Sequence, residues 1–263
     1  MQWHELEMLT EEFLRLEINK AINFDEFYRI AIVHHSSAIE GSTLTLEETS
    51  LLITEGITAA GKSMNEHHMV TDHYKALMFC MAEADKKIAV TPEFLKTING
   101  KVNLNTGQIR NMALGICDDT KGDFRLGNVT AGNTYFVNYD KVVGLVNELC
   151  VSINSKIKSA KSLREIYELA FDAHFNLVSI HPWFDGNGRT SRLLMNFILA
   201  QFQQPLSIVF IEDKSQYITS LITARETKNN EVFRDFMCAQ QIKFLKLEME
   251  KFNKRDSGFT MML

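Results

Sequence analysis

His181-Pro182-Trp183-Phe184-Asp185-Gly186-Asn187-Gly188-Arg189-Thr190-Ser191-Arg192 interrupts two apolar helical stretches, and its residue types decide how the surrounding chain is read. Gly186 and Gly188 bracket an asparagine, so the backbone can aim successive amides at one point, a nest that binds anions. The loop runs into a helix, whose first turn adds unpaired N–H groups and the positive end of the dipole. Arg189 and Arg192, three residues apart, project from neighbouring positions at that helix start. These features suit a phosphate or polyphosphate. Asp185 opposes such a ligand unless a divalent cation lies between them, and Mg²⁺ is commonly held by one or two carboxylates with substrate phosphates and water. His181, with an ordinary pKa of about 6.5, suits a general base at neutral pH, and Pro182 stiffens the loop beside it. A base, a metal ligand, an anion nest and two arginines together describe transfer of a phosphorus group to a hydroxyl. A rigid Asp-Gly-Asn-Gly turn with a surface histidine would explain any one of these residues, but not the whole set.

Outward from the loop the chain is patterned as helix. The preceding stretch runs from Leu163 to Ile180, and in the following one Leu194, Ile198 and Phe202 share a stripe. Helical spacing also covers Val142 to Ile157, about Glu66 to Asp85, and Gln216 to Lys254. From Glu5 to Ile39 it is continuous: Leu14, Ile18 and Ile22 step by four, Phe24, Phe27, Ile30 and Val33 by three, and Gly41 closes the run as a C-cap. Thr45-Leu46-Glu47-Glu48 is a capping box, and Thr91-Pro92 starts another helix. The character changes only between Gly107 and Asn138. Gly122 to Val129 and Thr134 to Val137 flank a Gly132-Asn133 turn and read as a β-hairpin, the one convincing strand signal. The expected fold class is mainly α, with a single hairpin.

Composition agrees. The 263 residues allow one large domain or two small ones, and 45% hydrophobic with 23% charged residues is ordinary for a globular chain. Three prolines stand where about thirteen are average, and long stretches free of helix breakers favour helix over sandwich or barrel. A net charge of −5 excludes bulk attraction to nucleic acid or anionic membrane. Cys80, Cys117, Cys150 and Cys238 lie far apart with no Cys-x-x-Cys pair, which fits buried free thiols in a reducing compartment. Met1 to Glu12 lacks the apolar core of a signal peptide, and no apolar run reaches bilayer-spanning length, so a cytoplasmic protein is expected.

The segment His181 to Arg192 resembles the signature of the Fic family (filamentation induced by cyclic AMP), His-Pro-Phe-x-Asp/Glu-Gly-Asn-Gly/Lys-Arg-x-x-Arg, departing only where Trp183 replaces phenylalanine. Ala173-His174, Ile180, the hairpin with Gly122 and Arg125, and Ile39 to Thr45 are also similar to the family, so the resemblance spans about residues 36–205. It implies a Fic-type helical fold with the hairpin as a flap near the active site. It implies three regions: 1–85, helical; 86–205, the catalytic core with the flap at about 121–138 and the loop at 181–192; and 206–263, helical and packed on the core. It implies a protein adenylyltransferase that moves AMP from ATP to a Ser, Thr or Tyr hydroxyl of a target protein. His181 would be the base and Asp185 would hold Mg²⁺. Gly186, Asn187 and Gly188 would form the anion hole, Arg189 would meet the outer phosphates, and Arg192 the γ-phosphate. The flap would hold a target segment by strand addition.

Ser36-Ser37-Ala38-Ile39-Glu40-Gly41 resembles the family's inhibitory motif, Ser/Thr-x-x-x-Glu-Gly/Asn. Glu40 ends a predicted helix, where its charge opposes the dipole and wants a cation; the family pattern supplies Arg192, whose pairing with Glu40 would take the place of the γ-phosphate. Two alternatives stay open: the same fold removing AMP or moving another phosphorus group, and a nucleotide-binding regulator without turnover. The target is unidentified and the chain itself is a candidate; a homodimer is compatible, and neither nucleic acid nor membrane is an expected partner. The region after Pro205 is too short and too helical for the winged-helix DNA-binding domain of many relatives.

Other residues read as structure. His67, His68 and His73 lack a metal-binding spacing and are expected on a solvated helix face. His174 is expected to be a satisfied, partly buried histidine, and Phe233, Phe236 and Phe244 to be packing. Tyr217 either lines an adenine pocket or packs.

Overall fold

Side-chain caps start many of the helices. Thr45, Ser63 and Ser162 each accept from the amide three residues on, while Glu48, Glu66 and Glu165 reach back to the cap, making three capping boxes. Thr91 caps the next turn with Pro92 in its first position. The structure, a computed structural model, describes residues 2–18, 24–132 and 134–259. In chain order these comprise α1 (Gln2–Arg15), α2 (Phe24–Ile39), α3 (Leu46–Thr54), α4 (Met64–Asp85) and α5 (Pro92–Val102). Two antiparallel pairs follow, β1 (Ile109–Met112) with β2 (Gly115–Asp118) and β3 (Thr130–Ala131) with β4 (Thr134–Tyr135). The rest is α6 (Tyr139–Ser159), α7 (Leu163–Ile180), α8 (Asn187–Gln201), α9 (Lys214–Thr227) and α10 (Glu231–Phe259). The expectation of a mainly α fold holds.

Helix α8 is the centre of the core, buried on all sides, with α7, α4 and α5 packed around it. Leu193, Leu194, Phe197 and Ile198 fill the interior and meet Leu177, Leu77 and Leu95 in one continuous apolar cluster. Because α8 cannot shift without emptying that core, the loop that feeds it is held on a rigid support.

Several expectations are corrected. The run from Glu5 to Ile39 is two helices: α1 ends at Arg15, Glu17 has φ 53°, and Ile22 of the expected stripe lies outside the described residues. The run from Gln216 to Lys254 is also two, because Lys228 takes a left-handed conformation (φ 52°) and its amide closes α9. The hairpin is smaller than expected, with residues 122–129 outside any strand, and Asn133 of its turn lies outside the described residues. A second hairpin, β1–β2, pairs Arg110 with Cys117; its outward Ile109 and Ile116 are each 66% exposed, so the strand signal of one buried face is missing there.

Histidines 67 and 73 are buried rather than solvated, because α4 packs against α2, α5 and α8 at once. The amide of Ala59 donates to His67 Nε2, whose Nδ1 faces the Ser63 carbonyl. All four cysteines are buried and free. Among the described residues no helix is long and apolar enough to cross a membrane.

Candidate active site

Helix α7 stops because its C-cap, His181, adopts φ 54°, and Pro182 cannot continue it. That turn presents the imidazole at the helix end. Nδ1 lies 3.4 Å from the Val178 carbonyl, which places the proton there and leaves Nε2 with its lone pair. Phe136, just after β4, stacks on the ring at 3.9 Å between centroids, and the Arg225 guanidinium lies 5.5 Å from the Phe136 ring centre. Burial pushes the His181 pKa down to about 4; Val178 and Glu40 oppose that shift, and Arg125 and Arg225 reinforce it. His181 is therefore neutral at physiological pH.

Arg125 is only 1% exposed, and its guanidinium is spent on backbone carbonyls. Its Nε donates to the His181 carbonyl at 2.8 Å, Nη1 to Gly127 at 2.9 Å, and Nη2 to the Val137 carbonyl. One buried guanidinium thus ties the chain on both sides of β3–β4 to the loop that begins at His181. Trp183 adds a second tie, its indole Nε1 donating to the Gly122 carbonyl at 2.9 Å, a bond that phenylalanine cannot make. Tyr135 at the flap tip is 86% exposed.

The loop is locked from inside. Asn187 accepts from the Trp183 amide (3.1 Å) and donates to the Trp183 carbonyl (2.9 Å), so its side chain is occupied and its backbone amide faces the nest. Gly186, at φ 77°, has no room for a Cβ, which would lie 2.7 Å from Asn99 Nδ2 and 2.8 Å from Asn103 Nδ2. Asn99 donates to the Asp185 carbonyl (3.0 Å) and to Thr190 Oγ1 (3.1 Å); Asn103 donates to Asn99 Oδ1 (3.2 Å) and Asp185 O (3.3 Å). Sequence reading missed this pair. The available signal was two amides one turn apart on a helix whose other inward residues, Leu95, Ile98 and Val102, are apolar. Asn99→Ala removes three buried hydrogen bonds and leaves Thr190 Oγ1 without its donor, so it is expected to destabilise by about 2 kcal/mol and lower Tm by roughly 4–8 °C. Thermal unfolding checks this; an unchanged Tm would mean water replaces the lost bonds.

Arg189 and Arg192 turn to different neighbours. Arg189 donates to the Val102 carbonyl (3.2 Å) and Asn103 Oδ1 (3.1 Å), with Asp185 Oδ1 at 3.4 Å. Asp185 itself is half exposed, its Oδ1 accepting from the Gly186 amide. Arg192, 3% exposed, points to α2: Nε donates to Ser36 Oγ (2.8 Å), and Nη2 to the Ser36 carbonyl (3.0 Å) and Glu40 Oε1 (2.6 Å). Its Nη1 reaches Tyr217 Oη at 3.3 Å. Gly41, at φ 108°, turns the chain away after Glu40. The Glu40 carboxylate also touches the first turn of α8, since a Cβ on Gly188 would come within 2.3 Å of Oε1. Burial pushes that carboxyl up, but Arg192, with Arg189 and Lys214 behind it, holds it below the usual range. An anion therefore already sits where a helix N-terminus and an arginine converge. Beyond Gly41, Glu66 accepts from the Thr43 amide (2.9 Å) and hydroxyl (2.7 Å), fastening the segment that follows Glu40 to the start of α4.

A buried helix, α8, carries this loop at its N-terminus, a neutral histidine precedes it, and the buried Arg125 ties the segment around β3–β4 to it. Residues 89–199 match the model of the Fic/DOC family. A protein adenylyltransferase Fic of Drosophila willistoni is 31% identical over 195 residues, 74% of this chain and 36% of that protein. The same-named protein of Drosophila virilis is 31% identical over 195 residues, 74% of this chain and 37% of its own length. The chain thus spans little more than a third of the curated relatives it matches. Among solved structures, a Fic domain containing signaling protein from Bacteroides thetaiotaomicron superposes with a TM-score of 0.80 at 22% identity, covering 94% of this chain and 96% of that one. Fic-1 from C. elegans gives a TM-score of 0.80 at 23% identity over 97% of this chain and 72% of the other. These likenesses establish the fold.

Proposed function

We propose that this protein is a protein adenylyltransferase that transfers AMP from ATP to a Ser, Thr or Tyr hydroxyl of a target protein and is held in check by Glu40. One observation carries the reading: an anion, the Glu40 carboxylate, lies against the first turn of α8 and pairs with Arg192 at 2.6 Å. A site that accepts a carboxylate there accepts a phosphate by the same physics. The names of the Drosophila relatives support AMP as the group transferred.

In this reading the amides of Gly186, Asn187 and Gly188 and the start of α8 receive the phosphates. Arg192 takes the γ-phosphate once Glu40 withdraws, and Arg189 supplies positive charge from beneath the loop toward the outer phosphates. His181 Nε2 removes the proton of the attacking hydroxyl. The hydroxyl oxygen bonds to the α-phosphorus as the bond to the bridging oxygen breaks, and pyrophosphate leaves. The donor set suits Mg²⁺, which needs only one or two carboxylates beside phosphates and water: Asp185 is half exposed at the loop, and no cluster of three ligating side chains occurs among the described residues. Asp185 would hold the ion, which supplies charge neutralisation on the phosphates. Flap residues on either side of β3–β4 would receive the target segment.

Labelling with α-³²P-ATP and γ-³²P-ATP tests the reaction, with the chain itself and added lysate proteins as acceptors. Label from the α-position alone supports AMP transfer, and label from the γ-position would make the protein a kinase instead. EDTA is expected to remove the labelling and excess Mg²⁺ to restore it; labelling that persists in EDTA removes the metal from the reading.

A further inference from the structure

The hydroxyl of Tyr217 lies in a contact that neither the loop nor the inhibitory segment accounts for. Tyr217 belongs to α9 and is 2% exposed. Its oxygen accepts from Arg192 Nη1 at 3.3 Å, because a guanidinium can only donate. That leaves the hydroxyl proton for His174 Nε2, 3.0 Å away on α7. His174 is fully buried and stacked on Phe233 at 5.0 Å, and its Nδ1 has no hydrogen-bond partner. A phenylalanine would fill the slot without stranding a polar atom, so packing alone does not account for the imidazole. Burial and the nearby Arg192 charge hold its pKa well below the ordinary value, which keeps it neutral.

The other partners of Arg192, the Ser36 hydroxyl, the Ser36 carbonyl and the Glu40 carboxylate, all come from the end of α2. Any movement that withdraws Glu40 by shifting that helix end loosens all three together. Tyr217 sits on a different helix and stays behind. We propose that Tyr217 is a positioning residue, which with His174 behind it holds Arg192 in its phosphate-facing pose after Glu40 has left. Resting on the reading of Arg192 as a ligand of the outer phosphates, this assigns a nucleotide-binding role to a residue that touches no nucleotide.

Tyr217→Phe isolates the hydroxyl, since the ring keeps its stack on His174, its tilted contact with Phe233 and its place beside the Arg192 guanidinium. The comparison is made between Glu40→Gly and Glu40→Gly/Tyr217→Phe, by calorimetric titration with ATP and with AMP in Mg²⁺. The expected result is a roughly tenfold rise in the ATP dissociation constant, from one lost hydrogen bond to a charged group, with AMP binding unchanged. Equal weakening of ATP and AMP would reduce Tyr217 to a structural residue and overturn the proposal, as would no change in either. If Glu40→Gly itself binds ATP no more tightly than AMP, the reading of Arg192 fails first and takes the proposal with it. Should Tyr217→Phe not fold, His174→Phe removes the hydroxyl's acceptor and is read the same way.

Discussion

Glu40→Gly is expected to raise the initial rate of AMP transfer by roughly ten- to a hundredfold. The estimate comes from the contact it removes. Glu40 Oε1 lies 2.6 Å from Arg192 Nη2, with the carboxylate 34% exposed and the guanidinium side chain 4% exposed. A hydrogen bond to a charged group in such a setting contributes about 1.5–3 kcal/mol, and an intramolecular competitor of that strength lowers the binding-competent population by the corresponding factor. The competition is spatial as well as electrostatic, because the same oxygen crowds Gly188 in the first turn of α8. Glu40→Gln keeps the volume and loses the charge, so it should activate less. The substitution has a cost in the free protein: Arg192 stays buried with one partner gone, so Tm should fall without ligand and recover with ATP and Mg²⁺. Rates from α-³²P-ATP on the purified proteins decide it. Equal rates for wild type and Glu40→Gly would leave Glu40 as a structural ion pair with no inhibitory role.

How far the sequence carried this picture depends on the range of each interaction. The capping box at Thr45–Glu48, the Pro92 start and the loop from His181 to Arg192 are local signals, written within a few residues, and each lies where the reading put it. The Glu40–Arg192 pair joins residues 152 apart, and only the resemblance to a family with an inhibitory motif made it legible. The amides of Asn99 and Asn103 beneath the loop, the Arg125 clasp on the flap and the hydroxyl of Tyr217 are long-range polar contacts with no periodic signature. Helical periodicity also says nothing about which face meets which neighbour. It left His67 and His73 on a solvated face, although α4 is packed by α2, α3, α5 and α8. The breaks at Glu17 and Lys228 escaped for a different reason: both residues adopt positive φ without being glycine, so no breaker marks the place.

His181→Ala in the Glu40→Gly background is expected to lower the transfer rate by roughly 10²- to 10⁴-fold, the usual contribution of a general base. Loss of labelling must be separated from loss of fold, because His181 caps α7 at φ 54°, a left-handed conformation that histidine adopts more readily than alanine. Assays well below both melting temperatures make that separation. The pH dependence gives the sharper signature. An imidazole can accept the hydroxyl proton only when neutral, and burial, with Arg125 and Arg225 nearby, brings its pKa down to about 4. Protonation therefore removes the base only as pH falls through that value, so the acid limb of kcat/KM should lie near it. The profile should be level with respect to this group between about pH 5.5 and 8, where an ordinary histidine would titrate. Phe136 supplies part of the cover by stacking at 3.9 Å, so Phe136→Ala should hydrate the ring and move the acid limb upward toward the ordinary value. An acid limb that stays in place in Phe136→Ala would separate the titrating group from His181, and labelling undiminished in His181→Ala would remove the histidine from catalysis.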